Sequence, residues 1–397
     1  MLKPCSIQLL LICLLSGTIQ SVHGGGDQSS VIILQFPHGA RSLAMGECGV
    51  ALANDEDVMF YNPAGLGFVN KRWVGGALTS FYEELLPAFN IKDVWHQHNS
   101  AIIQFPPGKD TVFLGGLGID FNMVNYGANK YYDEFGTFLK TVKEREYVFS
   151  LSYGTNFEEF GIKNQAFGLS AKYYYSALGP GIGVDNVGVG QGVAIDAGYL
   201  WKILPTLRLG VSLLNMGPPV YYITYENADP IPFFINLAIA YDDVVLRFGN
   251  LPVLQIAGEI RFEREFVKNN KDKRPDPFFM AVYTSVENQN IAQLSNSIIG
   301  HYGIEATLFD CASFRAGFLE DIDGVRFEAR YGFGIKILNH FVADWYIIDS
   351  HEGAFKGMGG NPDGATGARD HQYGYSVSFI TALKWSVSDL GWLALLL

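Results

Sequence analysis

Beyond its first residues the sequence has no stretch of about 18 consecutive apolar residues, the length a helix needs to cross a bilayer, so a helical membrane protein is excluded. Positive charge is scarce. Lys and Arg number 28 against 40 Asp and Glu, a formal net charge of -12, which argues against nucleic acid as a partner, because its binding needs a basic face. Cysteine is sparse at 4. Cys5 and Cys13 lie in the leader. Cys48 and Cys311 remain, and although an oxidising compartment would let them pair, two isolated thiols read better as buried or free, with no zinc-ligand spacing around them. No serine or cysteine sits in a recognisable nucleophile motif. The expectation is therefore no enzyme, no catalytic residue, no cofactor and no metal.

What the chain does have is glycine, 45 residues of it, and Tyr and Phe at 21 and 29. Hydrophobic residues make up 48% and charged residues 17%, too apolar for a disordered chain and suited to a barrel of aromatic-rich strands joined by turns. Lys3 followed by an apolar core at 7–15 reads as a secretory leader, cut within 21–26. Ile12 before Cys13 argues against a lipoprotein.

From about residue 72 onward, apolar and polar residues alternate with period two, the signature of strands with two unlike faces. Phe149, Leu151 and Tyr153 alternate with Ser150 and Ser152. Phe167, Leu169, Ala171 and Tyr173 alternate with Gly168, Ser170 and Lys172. Ile256, Gly258, Ile260 and Phe262 oppose Glu259, Arg261 and Glu263, and Phe327, Ala329 and Tyr331 oppose Arg326, Glu328 and Arg330. Every charge in these runs falls on one face. On the lipid side of a barrel, Lys or Arg would cost roughly 2–4 kcal/mol at mid-bilayer. A soluble sandwich alternates too, so alternation leaves both open, and connection lengths decide between them. Short links (106–110, 203–205, 310–312, 338–339) alternate with long ones (83–98, 122–145, 176–191, 215–231, 264–296, 349–371), as periplasmic turns alternate with outer loops. Asp321-Ile322-Asp323-Gly324 is a tight hairpin among the long set. The expected fold is all-β: a transmembrane antiparallel barrel of about 14 strands, an even number as bacterial barrels have, in a bacterial outer membrane. Residues 1–24 are the signal peptide, 25–71 an N-terminal unit, 72–381 the barrel and 382–397 a tail. Within 264–296, residues 276–283 read as an amphipathic helix over the barrel, with an extra strand as the alternative.

Residues 39–66 are of another kind. Gly39, Gly46 and Gly49 permit close backbone approach, Pro63 fixes its own φ and holds Asn62 extended, and Gly65 frees the chain to turn. By spacing alone this is either a compact packed segment or an ordinary Gly-rich loop. The run Gly39-Ala40-Arg41, Met45-Gly46, Asp55 and Asn62-Pro63-Ala64-Gly65 resembles the N-terminal hatch of FadL-like outer-membrane barrels, and looks closest to the PorV/PorQ branch linked to type IX secretion. The stretches 166–172, 207–218, 228–232, 301–305, 314–318 and 344–346 are similar to later strands of that branch. The resemblance implies that these residues of 39–65 plug the barrel. It also implies a protein that binds secreted clients and passes them from the type IX translocon to the surface attachment machinery, in contact with outer-membrane lipid. Pro218, Pro219, Tyr221, Tyr222 and Tyr225 are then a candidate partner-binding loop, although tyrosines there also suit an interfacial girdle. The second reading is a FadL-like transporter of hydrophobic small molecules, against which the small and charged inward faces argue mildly.

Four further constellations read as ordinary structure. The glycines of 181–190 lack the strand-to-helix context of a phosphate loop. Asp321 and Asp323 sit in a loop too short for an EF-hand. Trp95-His96-Gln97-His98 reads as a loop histidine pair without a third metal ligand. The charges at 259–263 and 326–330 read as wall salt bridges around the hatch, in preference to a transport pathway.

Overall fold

The computed structural model describes residues 29–68, 75–86, 91–105, 115–158, 161–179, 188–249, 251–269, 274–287, 289–324, 326–337, 340–351 and 371–382. The expected signal peptide at 1–24, and all of the expected tail at 382–397 but Ala382, lie outside the described residues.

The first strands are β1 (Gly75–Leu86), β2 (Ile91–Phe105), β3 (Gly115–Tyr132), β4 (Phe138–Phe157), β5 (Ile162–Ala177), β6 (Val189–Leu204) and β7 (Leu207–Met216). A small hairpin follows, β8 (Val220–Tyr221) with β9 (Ala228–Asp229). Then come β10 (Phe234–Phe248), β11 (Leu251–Glu265), β12 (Ile299–Leu308), β13 (Ala312–Asp321), β14 (Arg326–Ile337), β15 (Phe341–His351) and β16 (His371–Ala382). Leaving out the hairpin, 14 antiparallel strands form one closed barrel in chain order, sealed where β1 pairs with β16 from Gly75↔Ala382 to Glu83↔Gly374. Closure removes every unpaired edge, which is what lets a sheet cross lipid.

The alternation sorts side chains as the period requires. Leu78, Ile103, Ile119, Phe149, Leu169, Ile195, Leu237, Ile260, Ile347 and Val377 face outward and are exposed, whereas Asp120, Glu146, Lys172, Asp196, Glu259, Arg261, Arg315, Arg330 and Asp344 are buried in the bore. An apolar exterior on a closed, even-stranded barrel is the surface that lipid solvates. The protein is a closed 14-stranded β-barrel with the exterior of a membrane-spanning one. Among the described residues no helix is long and apolar enough to cross a membrane.

Two of the expected long loops are largely strand. β1 runs to Leu86 and β2 starts at Ile91, and β3 and β4 run to Tyr132 and from Phe138, leaving five residues between them. Segments 83–98 and 122–145 read as loops because their outer ends are rich in charge and polar on both faces, as a hairpin is once it rises past the apolar layer into water. The pair 96 and 98 is corrected with them: His96 and His98 lie in β2 and face the bore, fully buried. In the β11–β12 connection, helices span Phe278–Thr284 and Ile291–Asn296. The second opens on a capping box in which Asn290 and Gln293 exchange side-chain and backbone bonds.

Candidate functional site

Residues 31–67 run through the bore and are buried along most of their length. Local chemistry shapes the segment. The Asn62 side chain accepts from the Ala64 amide at 3.1 Å and so caps the short 3-10 turn Pro63–Gly67, with proline at its first position. Its amide nitrogen donates to Val50 O at 2.8 Å and to Tyr199 O at 3.1 Å, so one side chain ties two parts of the inner segment to β6. The other candidate residues of this segment are all buried in the bore: Gly39, Ala40, Arg41, Met45, Gly46, Asp55, Pro63, Ala64 and Gly65.

Three ionic clasps join this segment to the wall. Glu259 of β11 accepts from four consecutive amides: Gly49 and Val50 at 2.9 Å each, Ala51 at 3.0 Å and Leu52 at 2.7 Å. Successive N–H groups wrapped round an anion in this way form a nest. Arg41 donates to both oxygens of Glu305, at 3.0 and 2.9 Å, and to Asp55 at 2.8 Å. Glu305 in turn accepts from Arg315, which reaches Asp344 at 2.7 Å. Glu47 accepts from Arg330 at 2.6 Å and from Arg326 at 3.3 Å. Burial opposes the charge of Glu47, yet the Arg330 and Arg326 guanidiniums and His301 outweigh it and hold the carboxyl down at about 2. The charges of β11 and β14 are thus wall-to-segment salt bridging.

The wall makes room with glycine. A Cβ on Gly168 would lie 2.2 Å from the Pro63 carbonyl carbon, one on Gly317 2.1 Å from Gly46 N, and one on Gly198 2.1 Å from Asn62 Oδ1. These positions were missed from sequence, although glycine inside a strand is itself a mark of close backbone approach. Gly168→Ala is expected to cost about 1–3 kcal/mol as an overpacked contact with no flexible neighbour to yield. Gly258→Ala, whose Cβ meets nothing nearer than 3.2 Å, is the matched control. Thermal unfolding of the two variants in detergent checks this.

Beside the inner segment lies a small cleft lined by Ile33, Leu34, Phe60 and Val148, with Asn122 and Lys172 at its polar side. Lys172 pairs with Asp196 at 2.7 Å and donates to Asn215 at 2.8 Å. Asn215 sits at a break in register between β6 and β7, with φ of 63°, and also donates to Leu34 O at 3.2 Å. The wall irregularity therefore meets the inner segment at this cleft.

No family model matches the chain, and no curated protein matches it. Solved barrels do. The toluene transporter TodX of Pseudomonas putida is similar at TM-score 0.48 and 11% identity, over 86% of this chain and 96% of that one. The toluene transporter TbuX of Ralstonia pickettii gives 0.41 and 12%, over 86% and 96%, and a Pseudomonas aeruginosa FadL homologue 0.41 and 10%, over 86% and 97%. Identities this low do not bear on cargo.

The candidate partner loop divides. Pro218, Pro219, Tyr221 and Tyr225 lie in the β7–β10 connection, with Tyr221 and Tyr225 exposed by 51% and 56%. Tyr222 instead turns inward, donating to Ser176 Oγ at 2.8 Å and packing on the Val31, Ile33 and Val148 cluster. It belongs to the bore lining.

Proposed function

We propose that the barrel admits hydrophobic small molecules through the outer membrane, as a FadL-like transporter, with residues 31–67 acting as its hatch. The observation that carries this reading is the cleft between the hatch and the wall. As it stands it has room for no more than about one water; it offers apolar side chains from Ile33, Leu34, Met59, Phe60 and Val148 and polar ones from His38, Asp120, Asn122, Ser150 and Lys172. Apolar side chains beside placed polar groups are what small-molecule sites have. In this reading the stretch 31–36 shifts to widen the cleft. It meets the wall through Ile33 N to Glu146 at 3.0 Å and Leu34 O to Asn215, while the Glu259 and Arg330 clasps stay closed. Cells lacking their own hydrophobe channel are expected to take up a labelled long-chain fatty acid or toluene faster when they carry this chain, and Leu34→Trp, which fills the cleft, removes the gain. Uptake no faster than through the bare membrane, or unaffected by Leu34→Trp, overturns the reading.

A second reading is a PorV-like component of type IX secretion. One feature favours it: Tyr221, Ile223 and Tyr225 are exposed by 51%, 62% and 56% on one outer connection, and the Arg274 guanidinium stacks 3.4 Å from the centre of the Tyr225 ring. Aromatic anchors held in place this way suit protein recognition. Pull-down from native outer membranes separates the two readings. Recovery of a large translocon or of secreted clients, lost in a Tyr221→Ala/Ile223→Ala variant, supports secretion, and recovery of neither overturns it.

A further inference from the structure

Of the pair His96 and His98, His96 is taken up by Glu83 and Asn122, whereas the fold brings His98 to two further candidate ligands, His38 and Asp57. His98 projects into the bore from β2, and its Nε2 pairs with Asp120 of β3. With that nitrogen committed, Nδ1 points the other way and stands 3.6 Å from Asp57 Oδ1 of the inner segment. His38, also of the inner segment, stacks its ring on His98 at 3.7 Å between centroids. One donor atom from each of His38, Asp57 and His98 falls within 4.8 Å of the others, and all three residues are buried.

The second observation is what these atoms lack. Asp57 Oδ1 and His98 Nδ1 are buried without a hydrogen-bond partner, and so is at least one ring nitrogen of His38, whose imidazole also lies against the Phe36 backbone. One such atom costs about 1–3 kcal/mol, and a group converging on one point calls for a shared occupant. Gly39, at φ of 91°, is what lets Asp57 sit here: a Cβ on it would lie 2.1 Å from Asp57 Oδ2.

We propose that His38, Asp57 and His98 bind a divalent ion of the zinc type, fastening the inner segment to the barrel wall. Two imidazoles and a carboxylate, with a water in the remaining position, are the donor set of tetrahedral zinc, reached once the His38 ring turns off its stack on His98 so that both in-plane lone pairs meet the ion. The imidazoles disfavour calcium and magnesium, which take oxygen ligands. Asp120 is the outer carboxylate that orients a ligating histidine. Such an ion neutralises negative charge where Asp55, Glu56 and Asp57 follow one another in the chain, and it spans two parts of the fold that no covalent bond joins. The bland occupant is ordered water, which would satisfy the same atoms without selecting a metal.

The test uses the intact barrel in detergent, stripped with chelator, incubated with Zn²⁺ alone and desalted. Elemental analysis is expected to find about one zinc per chain, with a raised unfolding temperature and an X-ray absorption shell that includes imidazole. Asp57→Asn and His38→Gln are expected to lose the zinc, and Asp120→Asn to weaken its binding about 10–100-fold, each while keeping the heat-modifiable migration of a folded barrel. A wild-type barrel that retains no zinc overturns the proposal, as water would be the occupant. So does zinc held equally by folded Asp57→Asn and His38→Gln, and so does displacement of zinc by equimolar calcium or magnesium. None of these outcomes depends on whether the barrel transports anything.

Discussion

Replacing Glu259 with alanine is expected to free residues 49–52 from the wall while the barrel itself stays closed. In the intact protein one carboxylate accepts four amides. These are the free donors of a turn, with no strand or helix partner to take them. Alanine leaves all four buried beside an empty space. At about 1–3 kcal/mol for each unsatisfied group, the loss is about 4 kcal/mol or more even if water rescues some of them. Against a typical total stability of about 5–15 kcal/mol, that is enough to undock the segment. Glu259→Gln is the sharper variant, since it keeps the shape. It turns one accepting oxygen into an NH₂ group facing donors, so two of the four bonds become repulsive contacts, at a cost of about 2–4 kcal/mol. Amide exchange at 49–52 reads the effect directly. Protection in Glu259→Ala equal to wild type would show that the nest does not hold the segment.

The barrel was legible in the sequence because its signal is local. Apolar residues such as Phe149 and Leu151 take one face and Ser150 and Ser152 the other, with no knowledge of any partner strand needed. The strand ends were less legible. Outside the apolar layer both faces of a hairpin meet water, so the alternation fades in 122–145 although the hydrogen bonds continue from Ala128↔Lys143 to Tyr132↔Phe138. What faces what across the bore is a property of the closed ring, and no spacing rule carries it. Glu259 reads only as an inward charge until the nest at 49–52 lies opposite. Asp57 meets His98 only because the inner segment, at the start of its short helix Val58–Tyr61, passes β2 at that height. Two clues went unused. Period two places His96 and His98 on the same side as Ser100, hence inward. The inward glycines Gly168 and Gly198 mark where another backbone presses on the wall, which Gly168 does against Pro63 and Gly198 against Asn62.

Glu47 and Arg330 give the second large effect, and acid is its probe. Glu47 is buried, and its carboxyl sits at about 2 rather than 4.5. A depressed carboxylate stabilises the folded state at pH values above its unfolded pKa, and that stabilisation is lost as pH falls through the folded value. The window for Glu47 therefore runs from about pH 5 down to about 2, and a shift of this size is worth about 3 kcal/mol. Arg330→Met is expected to cost about 3–5 kcal/mol at neutral pH, because it takes away the nearer of the two guanidiniums that donate to a buried carboxylate and leaves the longer Arg326 contact at 3.3 Å. The same variant is expected to flatten most of the acid sensitivity, since the shift it reports depends on Arg330 first among the guanidiniums. Adding Glu47→Gln to Arg330→Met removes the stranded charge and is expected to recover part of the loss, the non-additivity that a direct pair requires. Unfolding temperatures of wild type, Arg330→Met, Glu47→Gln and the double variant at pH 7, 5 and 3 decide the matter. If the single and double variants melt together at pH 7, and wild type keeps its stability at pH 3, Glu47 is not held by Arg330 in the way its 2.6 Å contact implies.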